Sequence, residues 1–234
     1  MCYINNKIQK VSIPNKGLGF IATKNIQKGE ILIKDIPFTV SNDKIYSDIF
    51  QLIYEVVINT NILSKFMKLQ PKSLNDYVID HIKVLEELDK VKKYNRYMYN
   101  FFAENYNTNE ILLLCAKYMC NAFNFNNKPA LLLNATILNH SCIPNTIFGE
   151  INGKFVFKAI SDINKGDEIY DNYIDITLSK QIRHKHLSEQ YGFVCSCARC
   201  GETNDKKNKK YDEIVIGIEK ERLNTFGFTK SKVC

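Results

Sequence analysis

Three cysteines near the end of the chain, Cys195, Cys197 and Cys200, follow the spacing C-x-C-x-x-C, and this constrains the fold more than any other feature. Three thiolates this close in sequence can converge on one cation, but a tetrahedral zinc site takes four ligands. The fourth must come from elsewhere in the chain. A disulfide pair with one thiol left over is the other reading. The first residues, Met1 to Lys7, carry no apolar stretch of signal-peptide length, and no run approaches the roughly 18 apolar residues that span a bilayer. The expectation is an intracellular protein, nuclear, cytoplasmic or both, without membrane association, where thiols stay reduced and zinc is favoured. Cys2, Cys115, Cys120 and Cys234 show no ligand spacing, and Cys115 and Cys120 read as small buried apolar residues. His184 and His186 read as surface residues of a basic helix.

The chain has 234 residues, 45% of them hydrophobic, enough to bury a core without covalent cross-links. Between Lys10 and Val40, apolar runs broken by turns read as three short strands, with Lys28-Gly29-Glu30 turning into Ile31-Leu32-Ile33. From about Asp43 to Asn127 apolar residues fall three and four apart, as at Phe50, Ile53, Tyr54 and Val57 and again at Ile111, Leu114, Cys115 and Tyr118. That is helical periodicity. Pro71 interrupts it, and Asn75-Asp76 stands where a helix would take its N-cap. Strands return from Ala130, with Asn152-Gly153 turning a hairpin. Ile163 to Ile169 repeats the grammar of Ile26 to Ile31, which reads as shared turn chemistry, since two distant copies do not make a solenoid. Further helices are expected at about Ser179 to Gln190 and, after a lysine-rich linker, Glu213 to Leu223.

Three runs stand in a meaningful order: Asn139-His140-Ser141-Cys142-Ile143-Pro144-Asn145, then Gly166-Asp167-Glu168-Ile169-Tyr170-Asp171-Asn172-Tyr173, then Tyr191-Gly192-Phe193-Val194-Cys195-Ser196-Cys197-Ala198-Arg199-Cys200. Together they resemble the SET-domain protein lysine methyltransferases, nearest the SET and MYND (SMYD) branch, over most of Lys10 to Cys200. The resemblance implies an α+β fold: a β-rich SET fold of small sheets with a pseudoknot, a helical insert and a zinc-binding post-SET segment. The implied division is an N-terminal SET portion (10–42), the insert (43–127), a C-terminal SET portion (128–178), the post-SET segment (179–201) and a basic linker with a short helix (202–234).

The same resemblance nominates Cys142 as the missing ligand, so that Zn2+ would be held by Cys142, Cys195, Cys197 and Cys200. It implies S-adenosylmethionine as methyl donor, lying along Lys16, Gly17, Leu18 and Gly19 and touched by Asn121, Asn139, His140, Tyr173 and Phe193, with Tyr173 as the catalytic tyrosine. Read from the residues alone, each has a plainer alternative. Gly17 and Gly19 lack a Cβ and suit either a tight turn or close approach to a ligand. Asn139 and His140 can pair with a ligand or hold a structural turn against Pro144. Asn121 suits an asparagine-rich helix end, Phe193 offers a flat face for stacking, and Tyr173 could be a buried structural tyrosine.

Departures from the family are equally readable. No cysteines are present for a MYND finger, and only a short segment follows Cys200 where many members carry a long helical domain. Substrate preference is therefore not carried over: the expected partner is a histone tail or another lysine-containing protein. The competing class is a catalytically inactive SET module acting as a zinc-stabilised interaction domain. Net charge is +7, from 32 Lys+Arg against 25 Asp+Glu, which fits weak nonspecific contact with nucleic acid or a biased composition equally. Lys206-Lys207-Asn208-Lys209-Lys210 reads as a nuclear-localisation or nucleic-acid patch, or as a solvated tail.

Overall fold

A computed structural model describes residues 2–41, 47–125 and 128–227. In chain order the elements are β1 (Tyr3–Ile4), β2 (Ile8–Ile13), β3 (Gly17–Ala22), β4 (Ile31–Asp35), β5 (Thr39–Val40), α1 (Asp48–Val57), α2 (Thr60–Phe66), α3 (His81–Tyr94), α4 (Arg96–Asn105), α5 (Thr108–Asn121), β6 (Ala122–Phe125), β7 (Lys128–Leu131), β8 (Asn139–His140), β9 (Thr146–Ile151), β10 (Lys154–Ala159), β11 (Glu168–Asp171), α6 (Lys180–Tyr191), α7 (Ala198–Gly201) and α8 (Asp205–Phe226). They divide into two compact units: Met1–Pro37 with Asn134–Glu189 and Phe193–Val233, and Phe38–Leu133 with Gln190–Gly192. Cys234 lies outside the described residues.

The first unit holds two four-stranded sheets, ordered β1-β4-β10-β9 and β2-β3-β11-β8. The β9–β10 hairpin closes where expected, with Asn152 (φ 51°) and Gly153 (φ 75°) both in the left-handed region that a tight two-residue turn demands. Phe155, Phe157, Ile147 and Phe148 along this hairpin are all buried. The two look-alike turns prove to be partners. Ile26 and Ile163 exchange both main-chain hydrogen bonds at 2.9 Å. Gly29 N–H donates to Ala159 O at the end of β10, and Gly166 N–H donates to Ala22 O at the end of β3, each at 2.8 Å. Both glycines sit at φ near +95°, where a Cβ would be strained. Each turn thus caps the strand that leads into the other.

The second unit contains α1 to α5 and the sheet β5-β7-β6. Its helices form where periodicity placed them, around Phe50 and Phe102, whose rings meet edge-on at 5.3 Å. Asn75-Asp76 does not cap a long helix. Both lie in a single 3₁₀ turn, where Asp76 reaches back to the Ser73 N–H at 3.0 Å, and Asp80 caps α3 instead, accepting from Lys83 N–H. Lys117 on α5 is fully buried, its ammonium donating to the carbonyls of Met67, Leu69 and Pro71 at 3.2, 2.7 and 2.6 Å.

The last helix is longer than its apolar pattern suggested. It starts at Asp205 because Asn204 caps it, accepting from the N–H groups of Lys206 and Lys207. The lysine run therefore occupies the first turns of α8 rather than a linker. Val215, Ile218 and Arg222, at i, i+3 and i+7, are its buried stripe. Among the described residues no helix is long and apolar enough to cross a membrane.

Candidate active site and thiol centre

Strand β11 organises the site by pairing on both edges. It runs antiparallel to β3 (Glu168↔Ile21, Ile169↔Phe20) and parallel to β8 (Tyr170↔Asn139, Asp171↔His140). Asn145 fixes it from the side, donating to Glu168 O at 2.8 Å and accepting from Tyr170 N–H at 2.7 Å. The glycine-bearing strand, the Asn139-His140 pair and the segment ending at Tyr173 thereby meet in one unit.

Glu168, which spacing alone did not single out, is the polar hub of this edge. One carboxylate oxygen accepts from Asn139 Nδ2 at 2.8 Å, and the other from Lys16 Nζ at 2.9 Å and Tyr170 O–H at 2.7 Å. Lys16 also lies 4.7 Å over the Tyr170 ring. Burial pulls the Lys16 pKa down, but the bonds to Glu168 and Tyr170 outweigh it and hold Lys16 above the usual value. Asn139 donates its remaining hydrogen to Leu18 O at 3.2 Å, so its side chain can offer a ligand only the carbonyl oxygen. Gly17 takes φ 80°, as a turn glycine does. Gly19 is needed for a different reason: a Cβ there would lie 2.8 Å from both Asn139 Nδ2 and an Ile13 side-chain carbon. Its open face is filled by the protein's own asparagine.

Tyr173 follows β11 directly. Its hydroxyl donates to Leu138 O at 2.6 Å and its main-chain N–H donates to His140 Nδ1 at 3.0 Å. Because Nδ1 accepts, the imidazole proton sits on Nε2, which faces Cys142 Sγ at 3.3 Å. Both His140 nitrogens are thus engaged with the protein. Phe193 completes a three-ring cluster, its centroid 6.0 Å from His140 and 6.4 Å, edge-on, from Tyr173.

The thiols of Cys142, Cys195, Cys197 and Cys200 converge, all four sulfurs lying within 4.8 Å of one another. Cys142 Sγ is 3.5 Å from Cys200 Sγ and 4.0 Å from Cys195 Sγ. A disulfide requires about 2.05 Å, and every described cysteine is a free thiol, which removes the disulfide reading. Zinc bonds of about 2.3 Å in a tetrahedron put sulfurs about 3.8 Å apart, so the donor set fits Zn2+ in type, number and spacing. Hydrogen bonds from the neighbouring thiols hold Cys197 far below the usual thiol value and Cys200 down to about 5, while Cys142 is pushed up. Arg183 of α6, buried, donates from Nε to Cys142 Sγ at 3.2 Å and from its terminal nitrogen to Cys200 Sγ at 3.7 Å. A cation there would offset the excess negative charge of four thiolates if they held one dication.

Asn121 belongs to the helical unit. It ends α5, and its amide donates to Gln70 O and Lys117 O, both at 2.7 Å, so it anchors the same loop as Lys117. Cys115 and Cys120 are buried on α5 as expected, and Cys2 is exposed. His184 and His186 are half-buried on α6 and take no part in the thiol cluster.

Comparison with known proteins agrees with this geometry. A family profile described as the SET domain matches residues 17–174. SET domain-containing protein L678 of Acanthamoeba polyphaga mimivirus is 40% identical over 199 residues, 84% of this chain and 78% of that protein. N-lysine methyltransferase SMYD2 of Mus musculus is 28% identical over 120 residues, 49% of this chain but only 28% of that one. In structure, Rubisco LSMT bound to AdoMet aligns with a TM-score of 0.59 at 16% identity, covering 82% of this chain and 52% of that chain, a likeness of fold alone. The α+β architecture of several small sheets, the profile match and the viral relative together establish that the chain belongs to the SET domain family.

Proposed function

We propose that the protein transfers a methyl group from S-adenosylmethionine to the ε-amine of a lysine in a protein substrate, a histone tail or another protein. The observation that carries this reading is the way Tyr173 is held, with its hydroxyl proton committed to Leu138 O and its main chain to His140, beside Phe193. Relatives named as lysine methyltransferases, and solved neighbours bound to AdoMet, support the donor and the acceptor class.

When bound, S-adenosylmethionine supplies a methyl group on a positively charged sulfur. The chain has to orient a lysine amine toward it and keep that amine unprotonated. Neutralising a lysine of pKa about 10.4 at pH 7 costs roughly 4–5 kcal/mol, and exclusion of water lowers that cost by disfavouring the ammonium form. Having donated its proton to Leu138 O, the Tyr173 oxygen presents lone pairs, and so accepts an N–H from the amine and fixes its direction. A tyrosine of reference pKa near 10 is not the base here. Phe193 offers the flat face for the purine, and Lys16, Gly17, Leu18, Gly19 and the Asn139 carbonyl oxygen offer polar and main-chain contacts. Zn2+ held by the four thiols would supply no chemistry to the transfer; it would fix Cys142 and the Phe193–Cys200 segment, and through them His140.

Transfer of radiolabelled methyl to core histones and to a mixed protein extract tests the reading, with Tyr173→Phe alongside. Label that depends on Tyr173 supports it and reveals the substrate band. Absence of label together with absence of S-adenosylmethionine binding in calorimetry would favour a catalytically silent interaction module.

A further inference from the structure

We propose that Arg222, on the helix that follows the thiol segment, is a positioning residue for Tyr173, and that α8 is part of the catalytic machinery rather than a tail. The proposal rests on the role given to Tyr173 above. Arg222 is 1% exposed, and a guanidinium is costly to bury where an apolar side chain of the same volume would pack as well. Its terminal nitrogens donate to Asn172 Oδ1 at 2.5 Å and pair with Glu219 Oε1 at 3.3 Å. Asn172 is fully buried and adjoins Tyr173. Its amide nitrogen donates to Ile174 O at 3.0 Å, so its side chain closes a small loop with Tyr173 at the apex. Arg222 holds the base of that loop from a position 50 residues further along the chain.

The helix that carries Arg222 is itself fixed to the sheet. Phe226 lies over Gly149 on β9, so closely that a Cβ on residue 149 would come within 2.2 Å of the ring. Val215 and Ile218 share one apolar cluster with Ile147 and Ile176. Glu221 pairs with Lys28 at 3.5 Å and with Lys158 at 3.6 Å. Arg199, in α7, ties the helix to the segment just after Tyr173, donating to Ile176 O and pairing with Asp212 at 2.8 Å. A rigid helix therefore delivers one buried cation to the residue beside the catalytic tyrosine, which is the arrangement a precisely placed hydroxyl requires.

The test reads Tyr173 directly, in the full-length zinc-loaded protein. Amide hydrogen exchange by NMR and methyl transfer are measured on the parent, Arg222→Met, Asn172→Ala, the double variant and Arg222→Lys. The expected result is at least tenfold faster exchange of the Tyr173 amide in either single variant, no further gain in the double, and partial return in Arg222→Lys. The turnover number should fall about tenfold with the KM for S-adenosylmethionine within twofold, the split expected of lost orientation. Tyr173 exchange equal to the parent in a folded Arg222→Met protein overturns the proposal. If that variant does not fold, the same equality in Asn172→Ala overturns it. A parent protein without transferase activity whose Tyr173 exchange still responds would remove the enzymatic reading and leave the positioning role standing.

Discussion

Tyr173 is held from two sides that are built of different materials. On one side its main-chain N–H goes to His140, whose other nitrogen faces Cys142 in the thiol cluster. On the other, Asn172 is gripped by Arg222 of α8. The thiol side gathers four cysteines whose type and spacing fit one zinc ion, so its strength would depend on whether an ion is bound. The helix side is made of apolar packing with a permanent cation and should be indifferent to chelators. One aromatic hydroxyl thus depends on two supports that fail under different conditions.

The largest expected effect comes from removing the first support. Cys197→Ser should release the single zinc and destabilise the protein strongly, since structural zinc binding is worth on the order of 10–16 kcal/mol at pH 7. Metal analysis and calorimetry check this, and a variant that kept one zinc per chain with an unchanged melting temperature would break the contrast. Next in size, Tyr173→Phe should cost about a hundredfold or more in transfer while leaving both supports and the cofactor affinity within a few-fold, as lost orientation at the reacting centre does. Its stability should drop by only about 1 kcal/mol, the worth of one hydrogen bond. Steady-state kinetics beside urea unfolding separates the two.

Gly149→Ala attacks the second support alone. The added Cβ collides with Phe226, and overpacking of this kind costs about 1–3 kcal/mol. Zinc content should stay at one per chain while the urea midpoint falls; loss of metal here would mean that the two supports are not separate. The helical unit serves as a control for both. Burial pulls the Lys117 ammonium down to about 8, whereas the unfolded chain keeps its proton to about 10.5. In that window the unfolded state binds more protons, so the stability of the parent relative to Lys117→Met should rise from pH 8 to 10.5 and stay flat below pH 8. Urea unfolding across the series reads the slope, and a flat difference throughout would show that Lys117 keeps its ordinary pKa.

The contrast also explains what the sequence disclosed. Cysteine spacing is a local signature of a convergent site, and the Asn152-Gly153 turn and the periodic helices are local as well, so all of these were readable. Arg222 is one charged residue in a helix rich in both signs, and its partner stands 50 positions earlier. Nothing in the spacing points from one to the other. Glu168 was hidden for a related reason: Lys16, in the turn before β3, and Asn139, on β8, join Tyr170 of its own strand around it only after folding. Asn121 was nominated for the cofactor by motif order, and its amide bond to Gln70 O was not legible because Gln70 stands 51 positions earlier. The early start of α8 escaped because its first turns are polar, and a cap at Asn204 rather than an apolar stripe begins it.

The paired turns at Ile26 and Ile163 carry a consequence for synthesis. Each supplies the hydrogen bonds that finish the other's strand, so β3 and β10 cannot be completed separately. On a ribosome, the first turn is made 137 residues before its partner, a delay of about 7–27 s at 5–20 residues per second. The helices encoded between them rely on neighbouring contacts and can form during that wait. The amino-terminal strands leave the tunnel first and are among the last parts to be finished.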